Sequence, residues 1–241
     1  MKSPGAARAA AQQRLALFDL DGTLLEGDTD QLWCAFLIDE GVLERAAFEA
    51  ANADISARYA AGEIEPAEFC AFYAATLAGR AAEQWAPLRE RFVAASVAPR
   101  IGAAARALVK RRHSAGDELV LTTATSRFLA EPIAALLGIG HVVASELEVD
   151  AAGAFTGRNQ GVLNMRVGKV ERIGAWLATR GESIGRLDEA VFYSDSINDL
   201  PLLAAVGRAI VVDPDERLAD AAAVRGWPTL RLAGRTLPDE S

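Results

Sequence analysis

Leu15-Ala16-Leu17-Phe18-Asp19-Leu20-Asp21-Gly22-Thr23 is the stretch that decides the fold. Four apolar residues in a row, ended by two acids and a turn dipeptide, read as a short buried strand that delivers carboxylates to its carboxyl end. Turn chemistry explains Asp21-Gly22. It does not explain Asp19, which stands on the end of the strand itself. Two carboxylates one residue apart repel each other when both are ionised. A divalent cation removes that cost, and hard oxygen donors with no histidine or thiolate beside them suit Mg2+.

Downstream of this stretch the pattern changes twice. Residues 30–96 carry apolar side chains at helical spacing: Leu32, Trp33, Phe36 and Leu37 up to Gly41, then Phe48, Ile55 and Tyr59 up to Gly62. A third group begins at Pro66 and runs through Phe69, Phe72, Tyr73 and Leu77 to Gly79, and a fourth holds Trp85, Leu88 and Phe92. No strand is expected there. After Pro99, strands and helices alternate. A helix runs through Ile101, Leu108 and Val109, followed by a strand at 118–124, a helix at 126–137 and a strand at 141–144. A hairpin of 146–149 with 154–156 comes next, then a helix at 167–179 and strands at 190–193, 209–212 and 229–232. Asp213-Pro214-Asp215-Glu216 has the cap, proline and acid of a helix start. Such alternation predicts an α/β fold, a doubly wound and mostly parallel Rossmann-like sheet with an inserted helical unit. The expected partition is a loose tail at 1–12, a core of 13–29 plus 97–241, and a helical cap at 30–96.

In a doubly wound sheet, ligands bind outside the carboxyl ends of the strands. Three polar clusters fall there: Asp19 with Asp21, Thr122-Thr123, and Asp195-Ser196-Ile197-Asn198-Asp199. Two acids four apart on the last of these loops are what a metal site at a sheet rim requires. A helix N-cap would account for Asp199, since Pro201 follows, but not for Asp195. The chain holds 25 lysines and arginines, of which only Lys2, Lys110 and Lys169 are lysines. Arginine serves nearly everywhere a generic cation is wanted, so Lys169 calls for a compact point charge. The run Lys110-Arg111-Arg112 is what a helix C-terminus favours.

The formal net charge of −8 argues against a nucleic-acid partner. A small anionic ligand stays open, because local cations set the field in one cleft. No apolar run reaches the ~20 residues of a membrane span, so no membrane partner and a cytoplasmic address are expected. Cys34 and Cys70, each among apolar residues, read as buried free thiols. Oligomeric state is not legible.

Phe18-Asp19-Leu20-Asp21-Gly22-Thr23 resembles the first signature of the haloacid dehalogenase superfamily in its phosphatase form. The resemblance extends in order to the threonines at 122–125, Gly168-Lys169-Val170 and Tyr193-Ser194-Asp195-Ser196-Ile197-Asn198-Asp199. It implies that Asp19 attacks phosphorus and that Asp21 acts as general acid, then base. It further implies that Thr123 and the Ala124 N–H bind phosphate, with Lys169 and Asn198 assisting. Asp195 is implied as a direct metal ligand, Asp199 as support for the metal shell, and Mg2+ as cofactor of Asp19, Asp21, Asp195 and Asp199. A helical insert between the first and second signatures resembles the phosphoserine-phosphatase-like branch. The long matches at Ser126–Ile133 and Phe192–Pro201 are similar to a bacterial subgroup of it. Asp28 stands where phosphoserine phosphatases carry a glutamate that holds the substrate amine; as a helix N-cap it has an equally good explanation. The implied substrate is a small phosphorylated metabolite, with phosphoserine or another amino-alcohol phosphate such as histidinol phosphate fitting the pattern. A phosphomutase or phosphotransferase would use the same aspartate.

Overall fold

The computed structural model describes residues 13–61 and 63–232; the expected tail at 1–12 and the helix stop at Gly62 fall outside the described residues. Strand β1 (Leu15–Phe18) is fully buried. Its side chains alternate between two cores, as the period of a strand demands. Ala16 and Phe18 enter one apolar cluster, Leu15 and Leu17 the other. A strand covered on both faces has no polar positions to spare, which is why the sequence is a continuous apolar run.

Around β1 the sheet has seven strands in the order β4-β3-β2-β1-β5-β6-β7. These are β2 (Glu118–Ser126), β3 (His141–Val149), β4 (Phe155–Gln160), β5 (Val191–Ser194), β6 (Arg208–Val212) and β7 (Thr229–Leu230). All neighbours pair in parallel except β3 with β4. Phe18 stands level with Leu121 of β2 and Tyr193 of β5. The three carboxyl ends that carry the polar clusters therefore emerge side by side.

Residues 29–92, which follow β1, form four α-helices: α1 (Thr29–Asp39), α2 (Arg45–Ala60), α3 (Pro66–Ala74) and α4 (Ala82–Phe92). The first and last are tied to the core by aromatic rings. Trp33 lies edge-on to Trp85, Phe92 and Phe128, at 5.8, 5.1 and 6.4 Å between centroids. Phe48–Phe72 and Tyr59–Phe69 pairs join α2 to α3. The segment also meets the β4 hairpin through its backbone: Gly79 N donates to Phe155 O at 2.8 Å, and Phe155 N to Arg80 O at 3.0 Å. The remaining helices, α5 (Ala103–Ser114), α6 (Arg127–Leu137), α7 (Val167–Thr179), α8 (Leu200–Ala205) and α9 (Glu216–Arg225), flank the sheet.

Four expectations need correction. Strand β2 continues to Ser126, because Thr125 extends the strand and points its hydroxyl at Asp21. The strand at 141–144 and the hairpin arm at 146–149 are one strand: β3 pairs with β2 along its first half and with β4 along its second. The last strand stops at Leu230, beyond which Leu232 N turns to donate to the Asp213 carboxylate at 2.8 Å. The cap of α9 is Asp215, which accepts from Leu218 N at 2.7 Å, whereas Asp213 sits in a turn at φ 40°. Among the described residues, no single helix is long and apolar enough to cross a membrane.

Candidate active site

Asp19 is the first residue beyond β1, its N–H bonded to Tyr193 O at 2.9 Å. One carboxylate oxygen, Oδ1, accepts from Lys169 Nζ at 2.9 Å. The same ammonium reaches Asp199 Oδ2 at 2.7 Å, and Ser194 Oγ donates to that oxygen at 2.7 Å. Lys169 is 2% exposed. Burial alone would pull its pKa down; Asp19 and Asp199 outweigh that and hold it above the ordinary lysine value. Burial pushes Asp19 well up, Lys169 opposes, and the carboxylates of Asp199, Asp195 and Asp21 add to the rise. Lys169 gets there because α7 begins in close contact with the preceding loop: a Cβ on Gly168 would lie 2.2 Å from Leu163 O.

Asp21 is held differently. Its Oδ1 accepts from Thr29 N at 2.7 Å and from the Thr29 hydroxyl, and its Oδ2 from Thr125 Oγ at 2.6 Å. Burial raises its pKa, and the threonine bonds oppose the rise. Asp195 accepts from Thr23 Oγ at 2.8 Å, and burial pushes its pKa up to about 6 against that bond. Gly22 makes the approach possible: at φ +74° its missing Cβ would stand 2.1 Å from Asp195 Oδ2. Asp215 anchors the same loop, accepting from Ile197 N at 2.9 Å and donating its own N–H to Asp195 O at 2.9 Å.

Every one of the nine residues singled out in the sequence lines one cleft of about 500 Å3: Asp19, Asp21, Asp28, Thr123, Ala124, Lys169, Asp195, Asn198 and Asp199. Their partners differ in ways the sequence did not reveal. Thr123 Oγ accepts from Thr125 N at 3.1 Å, and Asn198 Oδ1 from Arg166 Nε at 3.2 Å. Asp28 caps α1, accepting from Gln31 N at 2.8 Å, while also facing the cleft. Sequence reasoning missed Thr29, Thr125, Ser194 and Asn164. Asn164 Nδ2 donates to Thr122 Oγ, Thr123 O and Val143 O at 2.8–3.0 Å and so ties β2 to β3. It lies in a loop without periodicity, so no sequence signal marked it.

The donor chemistry suits a small hard cation. Asp199 is engaged by Lys169 and Ser194, and Asp21 by two threonines. Asp19 and Asp195, which line the cleft, each accept a single side-chain hydrogen bond, from Lys169 and from Thr23, fewer than Asp21 or Asp199. Among the described residues, no group of three or more His, Cys, Asp or Glu side chains could hold a metal unaided. Two carboxylates still fit Mg2+, which keeps several waters and takes phosphate oxygens as further ligands.

The haloacid dehalogenase-like hydrolase model matches residues 16–204, a span containing all nine of the cleft residues singled out in the sequence. The chain belongs to the haloacid dehalogenase-like hydrolase family. This hydrolase is 37% identical over 220 residues to a histidinol-phosphatase of Neisseria meningitidis, covering 91% of this chain and 99% of that one. It is 30% identical over 227 residues to a phosphoserine phosphatase of Mycobacterium tuberculosis, covering 88% and 68%. A crystal structure of a protein of unknown function from Bordetella pertussis superposes with a TM-score of 0.86 at 38% identity, covering 91% and 99%. A substrate-bound phosphoserine phosphatase shares the fold, with a TM-score of 0.61 at 20% identity over 88% and 91%.

Proposed function

We propose that this phosphatase of the haloacid dehalogenase-like family hydrolyses the phosphomonoester of a small amino alcohol through a covalent phosphate on Asp19, with Mg2+ as cofactor. The observation that carries the reading is the buried Lys169 ammonium shared between Asp19 and Asp199. A lysine is worth burying beside a carboxylate if it must restrain that carboxylate and attract a dianion at the same place.

In the first step an Asp19 oxygen attacks phosphorus, the ester P–O bond breaks, and the departing alkoxide takes a proton from the Asp21 carboxyl group. In the second, water attacks the phosphorus of the aspartyl phosphate while Asp21 takes its proton; the P–O bond to Asp19 breaks and the carboxylate returns. Burial raises the Asp21 pKa, which favours the protonated form needed first. The threonine hydroxyls on Asp21 can donate to a carboxylate or rotate to accept from a carboxyl, so they serve both forms. Lys169, Thr123 and the Ala124 N–H supply donors to the phosphoryl oxygens, with Asn198 at the rim. A bound Mg2+ on Asp19 and Asp195 would offset the charge of the phosphoryl group. The helical segment 30–96 acts as a cap that limits water and selects the alcohol. The relatives' names, a histidinol-phosphatase and a phosphoserine phosphatase, support an amine-bearing substrate.

The test is phosphate release by purified protein from histidinol phosphate, phosphoserine, a sugar phosphate and p-nitrophenyl phosphate, with Mg2+ and with EDTA. Turnover that prefers an amine-bearing compound and vanishes with EDTA is expected. Transfer of phosphate to added sugar phosphate in place of water would overturn the hydrolase assignment.

A further inference from the structure

Beside the catalytic cleft, sharing Ala124 as a wall, lies a second and much smaller pocket under the helical segment. Asp30, Trp33, Tyr73 and Ser126 line it, with Asn159 of β4 at its edge. Its free volume is about 20 Å3, room for one water-sized group.

Three side chains that line this pocket, Asp30, Ser126 and Trp33, lack the partners their chemistry asks for. The Asp30 carboxylate has no hydrogen bond or ion pair among the described residues. Its electrostatic neighbours are Asp28 and Asp21, both of which oppose its charge. A place in the first turn of α1 suits an acid, because the helix dipole favours negative charge there. That does not explain its position against the rings of Trp33 and Tyr73. Ser126 is 8% exposed and occupies the N-cap position of α6, where serine ordinarily accepts a backbone N–H. It makes no such bond, and its hydroxyl is buried without a partner. A buried hydroxyl left unpaired costs free energy unless something else fills the role. The indole N–H of Trp33 is likewise buried without a partner; as a donor it asks for an acceptor, a role an ammonium does not fill.

We infer that this pocket is the subsite for the substrate's ammonium group, with Asp30 as its counter-ion and Ser126 as a second acceptor. An ammonium is the size of the space. It is a donor only, so it matches a carboxylate and a hydroxyl lone pair, and the aromatic walls of Trp33 and Tyr73 favour a cation. Asp28, the nearer acid to the cleft, has an oxygen committed to the α1 cap. Its charge adds to the field, but the specific contact belongs to Asp30. The inference rests on the amino-alcohol reading above and assigns that reading's selectivity to one side chain.

The experiment compares 2-aminoethyl phosphate with 2-hydroxyethyl phosphate on the wild type, Asp30→Asn and Asp28→Asn. Asparagine preserves shape at position 30 and cap function at position 28. The ratio of the two kcat/KM values should fall about tenfold to a hundredfold in Asp30→Asn, the scale of a charge-assisted hydrogen bond. It should fall less in Asp28→Asn. A ratio unchanged in Asp30→Asn, or one more damaged by Asp28→Asn, overturns the assignment. Calorimetric binding of both compounds to Asp19→Asn and to Asp19→Asn/Asp30→Asn reads the same selectivity without turnover. If the wild type hydrolyses no phosphomonoester while binding still favours the amine through Asp30, the hydrolase reading fails and the subsite stands.

Discussion

Asp19 and Lys169 form a pair whose two members should fail in different ways. Asp19→Asn removes the nucleophile but leaves an isosteric amide that Lys169 can still approach. Turnover should drop to less than about one-thousandth, with the circular dichroism spectrum unchanged; retention of more than a few per cent of activity would exclude Asp19 as the attacking group. Lys169→Met strips the counter-charge from two buried carboxylates, and breaking a buried ion pair on one side typically costs about 3–5 kcal/mol. Activity and stability should fall together, measured by urea denaturation beside kinetics. Lys169→Arg should not rescue either, since a planar fork does not replace a point charge 2.9 and 2.7 Å from two different acids. At this scale the sequence was legible where residue type was unusual: a rare lysine, an acid at a strand end. It was silent on Thr29, Thr125 and Ser194, whose hydroxyls hold the carboxylates in place. Threonine in a strand and serine at a strand end are ordinary, and only the fold brings Thr125 within 2.6 Å of an acid 104 residues away.

The elements that matter most are the loop after β1 and the start of α1, because one short segment supplies an acid, a tight glycine turn and a cap. Gly22 is the constraint on that loop. Alanine there would need φ +74° and would drive its Cβ into the Asp195 carboxylate. Gly22→Ala should cost about 1–3 kcal/mol, as strain of this kind does, and lower activity at least tenfold by displacing Asp195. Full activity with a lower melting temperature would show the loop yielding without moving the site. The cap at Asp28 is separable by chemistry: Asp28→Ala should lose about 1 kcal/mol and Asp28→Asn close to none, read by thermal unfolding. Element types were readable from periodicity, and the four helices of 30–96 appear, although α3 stops at Ala74 and a 3-10 turn over 75–77 holds the Leu77 that the spacing had assigned to it. Boundaries were less so. The β2 strand ran on to Ser126, which pairs with Ser145 of β3, and β3 joined two expected pieces by changing its partner from β2 to β4, because pairing with a neighbour carries a strand through residues whose own pattern has ended.

At the scale of the whole molecule, the acids on one rim of a chain with net charge −8 set how stability should respond to pH and to metal. Burial pushes Asp195 and Asp28 up to about 6, and Asp19, Asp21 and Asp30 are raised as well. An acid whose folded pKa lies above its unfolded value of about 4 binds its proton more tightly when folded. The stability it contributes is therefore complete below pH ~4 and is lost as pH rises through its folded value. Glu44, Glu148 and Glu182 behave oppositely: bonds to backbone N–H groups, to Thr156 and to Arg186 lower them, so their contribution is present above about pH 4.5 and lost as pH falls. The two classes together predict that metal-free protein is most stable near pH 5 and declines toward pH 7.5. A cation that binds ionised Asp19 and Asp195 stabilises only where they are ionised. Mg2+ at ten to a hundred times its Kd should therefore add about 1–3 kcal/mol at pH 7.5, on the order of several degrees in melting temperature, and much less at pH 5. Scanning calorimetry in EDTA and in excess Mg2+ at the two pH values decides the matter. An equal Mg2+ effect at both would locate the metal on groups already ionised at pH 5. Asp195→Asn sharpens the test, because it should raise the metal-free melting temperature at pH 7.5 by removing a buried charge while abolishing the response to Mg2+. A variant that kept the response would place the cation elsewhere than between β1 and the loop after β5.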